Sequence, residues 1–185
     1  MTPTAAADRA LLAAAVRGDR ASFDALVRLH TPRMYRVALR VVGEPADAED
    51  VVQEAWISAW RALRGYRGDA APATWLYRVV TNAALAQLRR RRHSVPFDDD
   101  TMAGLVDGDD PDAPEQAMLR AEQVAEVHRA VADLEPSQRV PLVLREFEGL
   151  SYEEVATVLD VSVPAVRSRL HRARHALLTR LESVR

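Results

Sequence analysis

The 185-residue chain contains no cysteine and, among its 25 basic residues, no lysine. Without cysteine it forms no disulfide, carries no Cys-ligated zinc and is not its own thiol redox sensor. Exclusive use of arginine, beside many alanines and valines, reads as GC-rich codon bias rather than mechanism. Long apolar runs are missing too. No stretch of eighteen apolar residues and no signal peptide occurs, so a cytoplasmic, soluble protein without membrane insertion is expected. There is no glycine-rich phosphate-cradling loop and no nucleophile elbow. His171 and His175 have the spacing of a helical metal pair, but Arg172 stands where a zincin motif has glutamate. Glu153 and Glu154 are adjacent and point apart, as acids in a helix first turn do. No metal, cofactor or catalytic constellation is expected, and the chain reads as a non-enzyme.

What is present is a segregation of charge beneath a net charge of −2. Residues 1–92 carry 15 Arg against 9 acids, a net of +6. Residues 93–116 carry 8 acids and no Arg, and residues 117–185 balance 10 of each sign. Local charge therefore says more about nucleic acid than the total does. The pattern divides the chain into a helical domain over 1–92, a flexible acidic linker over 93–116 and a second helical domain over 117–185. The linker, with Pro96, Asp98 to Asp100 and GDDPDAPE from Gly108, lacks apolar residues for a core. It reads either as a solvated tether or as an acidic segment mimicking nucleic acid.

Helical periodicity runs throughout, with no credible strand, and the fold class is all-α. Residues 1–6 are expected to fray before a short helix from Asp8 to Arg17. Asp19 or Ser22 caps the next, which runs to about Val42 and is kinked or interrupted at Pro32. A stretch from Asp47 to Arg92 then organises the chain. Its first helix has an apolar stripe of Val52, Ala55, Trp56, Ala59 and Leu63. Asp50, Gln53, Glu54 and Arg61 lie on other faces, and Ile57 among them points to a partner surface. Trp56 and Trp60 read as core. A loop, Arg64 to Ala73, precedes a second helix that begins near Pro72 and Thr74 and ends in Arg89 to Arg92. Rings beside arginines suit a single strand, offering faces for bases and cations for phosphates. Beyond the linker, helices are expected over Glu115 to Leu134 and Pro136 to Glu148, with Pro141 straining the latter's first turns. Ser151 and Glu154 form a capping box for Tyr152 to Leu159. The turn Asp160 to Ser162 leads to a last helix from Val163 to about Leu181, which is a helix-turn-helix pattern. Val166, Leu170, Ala173 and Leu177 form its buried stripe. Arg167, Ser168 and His171 face outward for bases, with Arg172 and Arg174 for phosphates.

Two motifs carry a family resemblance. DAEDVVQEAWISAWRAL, then YRGD and TWLYRVVTNAA, resembles region 2 of the extracytoplasmic-function (ECF) sigma factors of the sigma-70 family. GLSYEEVATVLDVSVPAVRSRLHRAR (Gly149 to Arg174) resembles their region 4, and the two stand in the family's order. The resemblance implies promoter recognition for core RNA polymerase. Asp50, Gln53, Glu54, Ile57 and Arg61 would meet the polymerase clamp helices, with the flap as a further contact. Tyr66 and Asn82 would capture melted minus-ten bases, with Arg67, Arg78, Arg89 and Arg90 on phosphates. Trp75 reads as a core residue supporting the loop, with a stacking platform as the alternative. Pro164 and Ala165 occupy positions where the family usually has Gly-Thr, among the minus-35 readers Arg167, Ser168, His171, Arg172 and Arg174. An anti-sigma factor is the implied protein partner, and the linker would lie in the polymerase RNA channel. An ordinary duplex-binding helix-turn-helix regulator is the alternative function, distinguished by having no need of the loop Arg64 to Ala73. A protein-binding helical adaptor is a third reading, which strong salt dependence of DNA binding would oppose.

Overall fold

A computed structural model describes residues 3–68, 70–94 and 126–182, and these form helices and turns with no strand. The acidic stretch from 95 onward and the first part of the helix expected from Glu115 lie outside the described residues. α1 (Pro3–Val16) starts earlier than expected, within the residues expected to fray. α2 (Arg20–Val42) is capped by Asp19, which accepts from the Ala21 amide at 3.0 Å and from the Ser22 hydroxyl at 2.6 Å. Those bonds favour the ionised form, and the Ser22 hydroxyl does most to hold the Asp19 carboxyl below its usual range. Ser22 is a donor to the cap, not the cap. Pro32 does not interrupt α2. It forfeits one backbone bond, but both Pro32 and Arg28, whose carbonyl loses the donor, lie on the exposed side.

Gly43, at a φ of 89° that favours glycine, ends α2 by donating its amide to Leu39 O at 2.8 Å. α3 (Pro45–Ala62) comes next and buries Ala48, Val51, Val52, Ala55 and Ala59. Leu63 is buried as expected, and Trp56 is half-buried with its indole N–H donated to Thr31 Oγ1 at 2.9 Å. Trp60 differs from its expected core role. It is 44% exposed and touches the core only edge-on through Phe23, at 4.8 Å between ring centroids. Four residues past Trp56, it lies about 40° further round the helix, at the edge of the inward stripe. A short 3₁₀ turn, Leu63–Gly65, and the loop lead to α4 (Pro72–Ser94), which passes the expected end at Arg92 by two residues. α4 packs against α1, α2 and α3, and its Leu76, Val80 and Ala84 fill the centre of this bundle.

Helical residues 126–132, labelled α5, bury Ala130 and Val131, and Leu134 is buried just after them. α6 (Pro136–Leu142) contains Pro141 and gives way to a wide π-type turn, Val143–Phe147, where a single α-helix to Glu148 was expected. Gly149, at φ 70°, ends that turn. α7 (Tyr152–Leu159) begins with the expected capping box: the Glu154 amide donates to Ser151 Oγ at 3.1 Å, and the Ser151 amide to Glu154 Oε2 at 2.8 Å. Asp160, at φ 55°, takes the left-handed conformation that closes α7, and α8 (Val163–Glu182) completes the unit. α6, α7 and α8 pack around Val155, Val158, Val166 and Leu170.

The two bundles meet. α7 lies on α4, while α6 and the π-type turn lie on α2.

Removing the capping hydroxyl with Ser151→Ala is expected to cost about 1 kcal/mol. In a chain of this size that is a melting temperature lower by about 2–4 °C, read by thermal circular dichroism. Glu154→Gln retains the reciprocal bond and should melt near the parent temperature; equal melting of Ser151→Ala and the parent would remove the cap from the account.

Candidate nucleic-acid interface

Three exposed surfaces stand out. On α3, Asp50, Gln53, Glu54, Ile57 and Arg61 are all exposed, with Ile57 at 38%. Their spacing of three and four residues draws one continuous stripe opposite the buried face. Ile57 is the apolar member of that otherwise polar and charged row.

The second surface joins the loop to α4. The Tyr66 hydroxyl donates to Ala70 O at 2.5 Å, which closes the loop on itself. Its ring lies 5.3 Å from that of Trp75, which is half-buried against the core, so the pair ties the loop to α4. Arg67, Arg78, Asn82, Arg89 and Arg90 are exposed. Arg78 and Asn82 are one turn apart on one face, whereas Arg89 and Arg90 lie two turns on. Arg90 donates to Gln87 Oε1 at 2.7 Å, and Gln87 in turn donates to Asp47 Oδ1 at 2.7 Å. The arginines at the end of α4 are thereby drawn toward α3.

Residues absent from the sequence-based set join this surface. A cleft of about 440 Å³ is lined by Arg9, Ala13, Val16 and Arg17 of α1 together with Tyr66 and Arg67. The spacing 9, 13, 16 and 17 marks one helical face, and that periodicity was the available signal.

The third surface is α8. Val166, Leu170 and Ala173 are fully buried and Leu177 half-buried, so the opposite face points to solvent. Pro164, Arg167, Ser168, His171, Arg172 and Arg174 are exposed on it, and Ala165 is half-buried beside them. Arg167 stacks over the Tyr152 ring at 5.7 Å, which braces its guanidinium at the outer edge of the helix. Arg174 is held by Glu146 Oε1 at 2.6 Å. That hydrogen bond, with a second that Arg174 donates to Tyr152, raises the Arg174 pKa. A basic helix presented after a capped helix and a tight turn has the shape and charge for a major groove.

Comparison with known proteins accounts for both halves. Residues 26–94 match the model for Sigma-70 region 2, and residues 125–177 match that for Sigma-70, region 4. The RNA polymerase sigma-H factor of Pseudomonas aeruginosa is 44% identical, over 92% of this chain and 91% of that protein. The ECF RNA polymerase sigma-E factor of Escherichia coli is 37% identical, over 92% of each.

The chain belongs to the ECF sigma factors of the sigma-70 family.

Among solved structures, that of CnrH in complex with the cytosolic domain of CnrY superposes with a TM-score of 0.70 at 30% identity, covering 96% of this chain and 98% of CnrH. As a sigma factor the protein is a promoter-recognition subunit of RNA polymerase, and no helix among its described residues is long and apolar enough to cross a membrane. Among those residues no group of three or more His, Asp or Glu is placed to hold a metal ion.

The Glu146 contact generates a test on this sigma factor. In Glu146→Ala the Arg174 guanidinium is released toward solvent on the α8 face. Duplex binding should tighten, and its dependence on salt should steepen by about one phosphate contact. An unchanged salt slope would mean that Arg174 does not reach DNA.

Proposed function

We propose that this ECF sigma factor reads two unlike forms of promoter DNA with its two bundles while α3 docks on core RNA polymerase. Asp50, Gln53, Glu54, Ile57 and Arg61 meet the clamp helices, and region 4 meets the flap. α8 enters the major groove of the minus-35 duplex. There Pro164, Ala165, Arg167, Ser168 and His171 approach base edges while Arg172 and Arg174 neutralise phosphates. Unpaired minus-ten bases are taken by Tyr66 and Asn82, with Trp75 holding the Tyr66 loop, and Arg67, Arg78, Arg89 and Arg90 track the strand. The observation that carries this reading is the pairing on one chain of a basic groove-sized helix with a separate loop-and-helix surface of rings and arginines.

The protein performs no bond chemistry of its own. Duplex opening is driven by selective binding of the open strand, and polymerisation belongs to the core enzyme. Residues 1–92 act as the polymerase and minus-ten domain, 93–116 as the acidic tether and 117–185 as the minus-35 domain. It works in the cytoplasm and inserts in no membrane. An anti-sigma factor is its regulatory partner, a reading supported by the likeness to CnrH, whose structure contains a second protein's cytosolic domain.

Run-off transcription with core polymerase free of other sigma factors tests this directly. Discrete transcripts that require the protein are expected from promoter fragments of the source genome. Arg167→Ala should weaken minus-35 binding by about 1–3 kcal/mol. Asn82→Ala should fail on duplex templates and recover on templates already melted at the minus-ten element. Absence of transcripts, with duplex binding retained without polymerase, would leave a duplex-only regulator.

A further inference from the structure

The contact between the two bundles is built around one carboxylate. Glu148, at the end of the π-type turn, has a side chain only 4% exposed. Arg33 Nε of α2 donates to its Oε2 at 2.8 Å, and the Tyr77 hydroxyl of α4 donates to the same oxygen at 2.7 Å. Arg40 of α2 lies 3.7 Å from Oε1, and a second Arg33 nitrogen donates to the Glu148 carbonyl at 3.2 Å. Each of these partners belongs to region 2. Burial, the hydrogen bond and the negative charge of Glu148 together raise the Tyr77 pKa far above that of an ordinary phenol. A second buried charge crosses the other way. Arg139 of α6 donates to Val41 O at 2.5 Å, near the end of α2, and also to Leu134 O and Ala132 O. A cation is well placed there, since the last turn of a helix presents unpaired carbonyls.

Both buried charges of region 4 are thus satisfied in part by region 2 only while the bundles are docked. A buried carboxylate without its cations is strongly disfavoured, so docking depends on Arg33 and Arg40. Undocking returns the same groups to water.

This docked arrangement cannot read a promoter. Arg78, on the minus-ten face of α4, lies 4.0 Å from Asp160, which stands just before the start of α8. An open groove lies between Arg78 and Glu153, Thr157, Asp160 and Val163. From Asp160, a two-residue turn and two helical turns reach His171, so the base-facing positions of α8 lie no more than about 30 Å from Arg78. Minus-35 and minus-ten elements are separated by about 25 base pairs, or about 85 Å of B-form duplex. Helix α8 and the α4 face cannot occupy both elements at once in this conformation.

We propose that Glu148 is the pin of an intramolecular closed state: the sigma factor away from polymerase is held shut by the Glu148–Arg33–Arg40–Tyr77 contact, and productive binding to core polymerase and promoter requires its release. The inference rests on the promoter reading above. The occluding element is region 4 itself, and the cations that hold it are those of α2.

A chain without cysteine permits clean two-site labelling. Ala21→Cys on α2 and Ser137→Cys on α6, both at accessible positions, receive a fluorescence donor and acceptor in the full-length protein. High transfer is expected for the free parent and low transfer after core polymerase is added. Glu148→Ala and Arg33→Ala should each lower transfer in the free protein, and the double variant should add little to either single one, because both remove one contact. Circular dichroism reports folding, and Arg33→Ala, altering a partly exposed residue of the other bundle, serves if Glu148→Ala folds poorly. In run-off transcription the pin variants should reach half-maximal output at a protein concentration at least about threefold lower, with the maximum unchanged, because less of the population is closed. Folded variants with the parent's transfer efficiency would overturn the proposal. Failure of the parent to direct any transcript, with transfer responding to both substitutions, would instead overturn the promoter reading.

Discussion

The carboxylate of Glu148 is the contact on which the relative placement of the two bundles depends. It is withdrawn from water at the end of a wide turn, and two arginines of α2 and the Tyr77 hydroxyl of α4 converge on it from the other bundle. Packing alone would leave such a group unsatisfied, and the apolar contacts around it could then be met in several similar ways. A buried charge with directional partners admits few arrangements. Arg139 imposes a matching demand at the end of α2, where burial pulls its pKa down to about 10 despite help from Asp133 and Glu135. The two charges tie region 4 to α2 at Arg33, Arg40 and Val41, while α7 packs along α4.

Beneath that interface, each bundle presents the residues proposed for binding from well-packed helices. α3 exposes a row of five residues because Ala48, Val51, Val52, Ala55 and Ala59 lock the other side. α8 exposes its arginines because Val166, Leu170 and Ala173 are fully buried on its other side in the small bundle. The loop with Tyr66 is irregular, yet a hydroxyl bond to Ala70 and the Trp75 ring fasten it at both ends. Surfaces braced this way would lose little side-chain freedom on binding, which suits the recognition roles proposed for them.

Much of this is legible in the sequence, for a physical reason. Whether a residue faces in or out of its own helix is set by period, and the outward rows on α3 and α8 are readable at that level. The capping box and the helix-turn-helix turn are readable because their chemistry is local. Three features are not local. Trp60 lies near the inward stripe but just beyond it, and a large ring can rest edge-on at a boundary. Pro32 has the sequence signature of a break, although an exposed helix side tolerates one missing backbone bond. The partners of Glu148 lie 71 and 115 positions away, and nothing in the turn GL or the run of acids names a helix to dock against. Periodicity tells which face is buried; it does not tell what buries it.

The turn from Val143 to Phe147 has a consequence for the lengths that this chain tolerates. Its backbone closes from the Glu148 amide to Val143 O, one residue wider than an ordinary helical turn. Deleting the exposed Glu146 would restore regular winding while leaving the buried Val143 and Leu144 in place. It would also swing the downstream chain by about 100°. Most single-residue deletions in helices are harmful because they rotate a core stripe outward. Here the core of α6 precedes the deletion and that of α7 lies beyond a glycine, so the burden falls on Glu148, on Phe147 beneath Arg40 and on the buried Leu150. The segment is therefore a place where a change of length, with little change of composition, would act first on the contact between the two bundles.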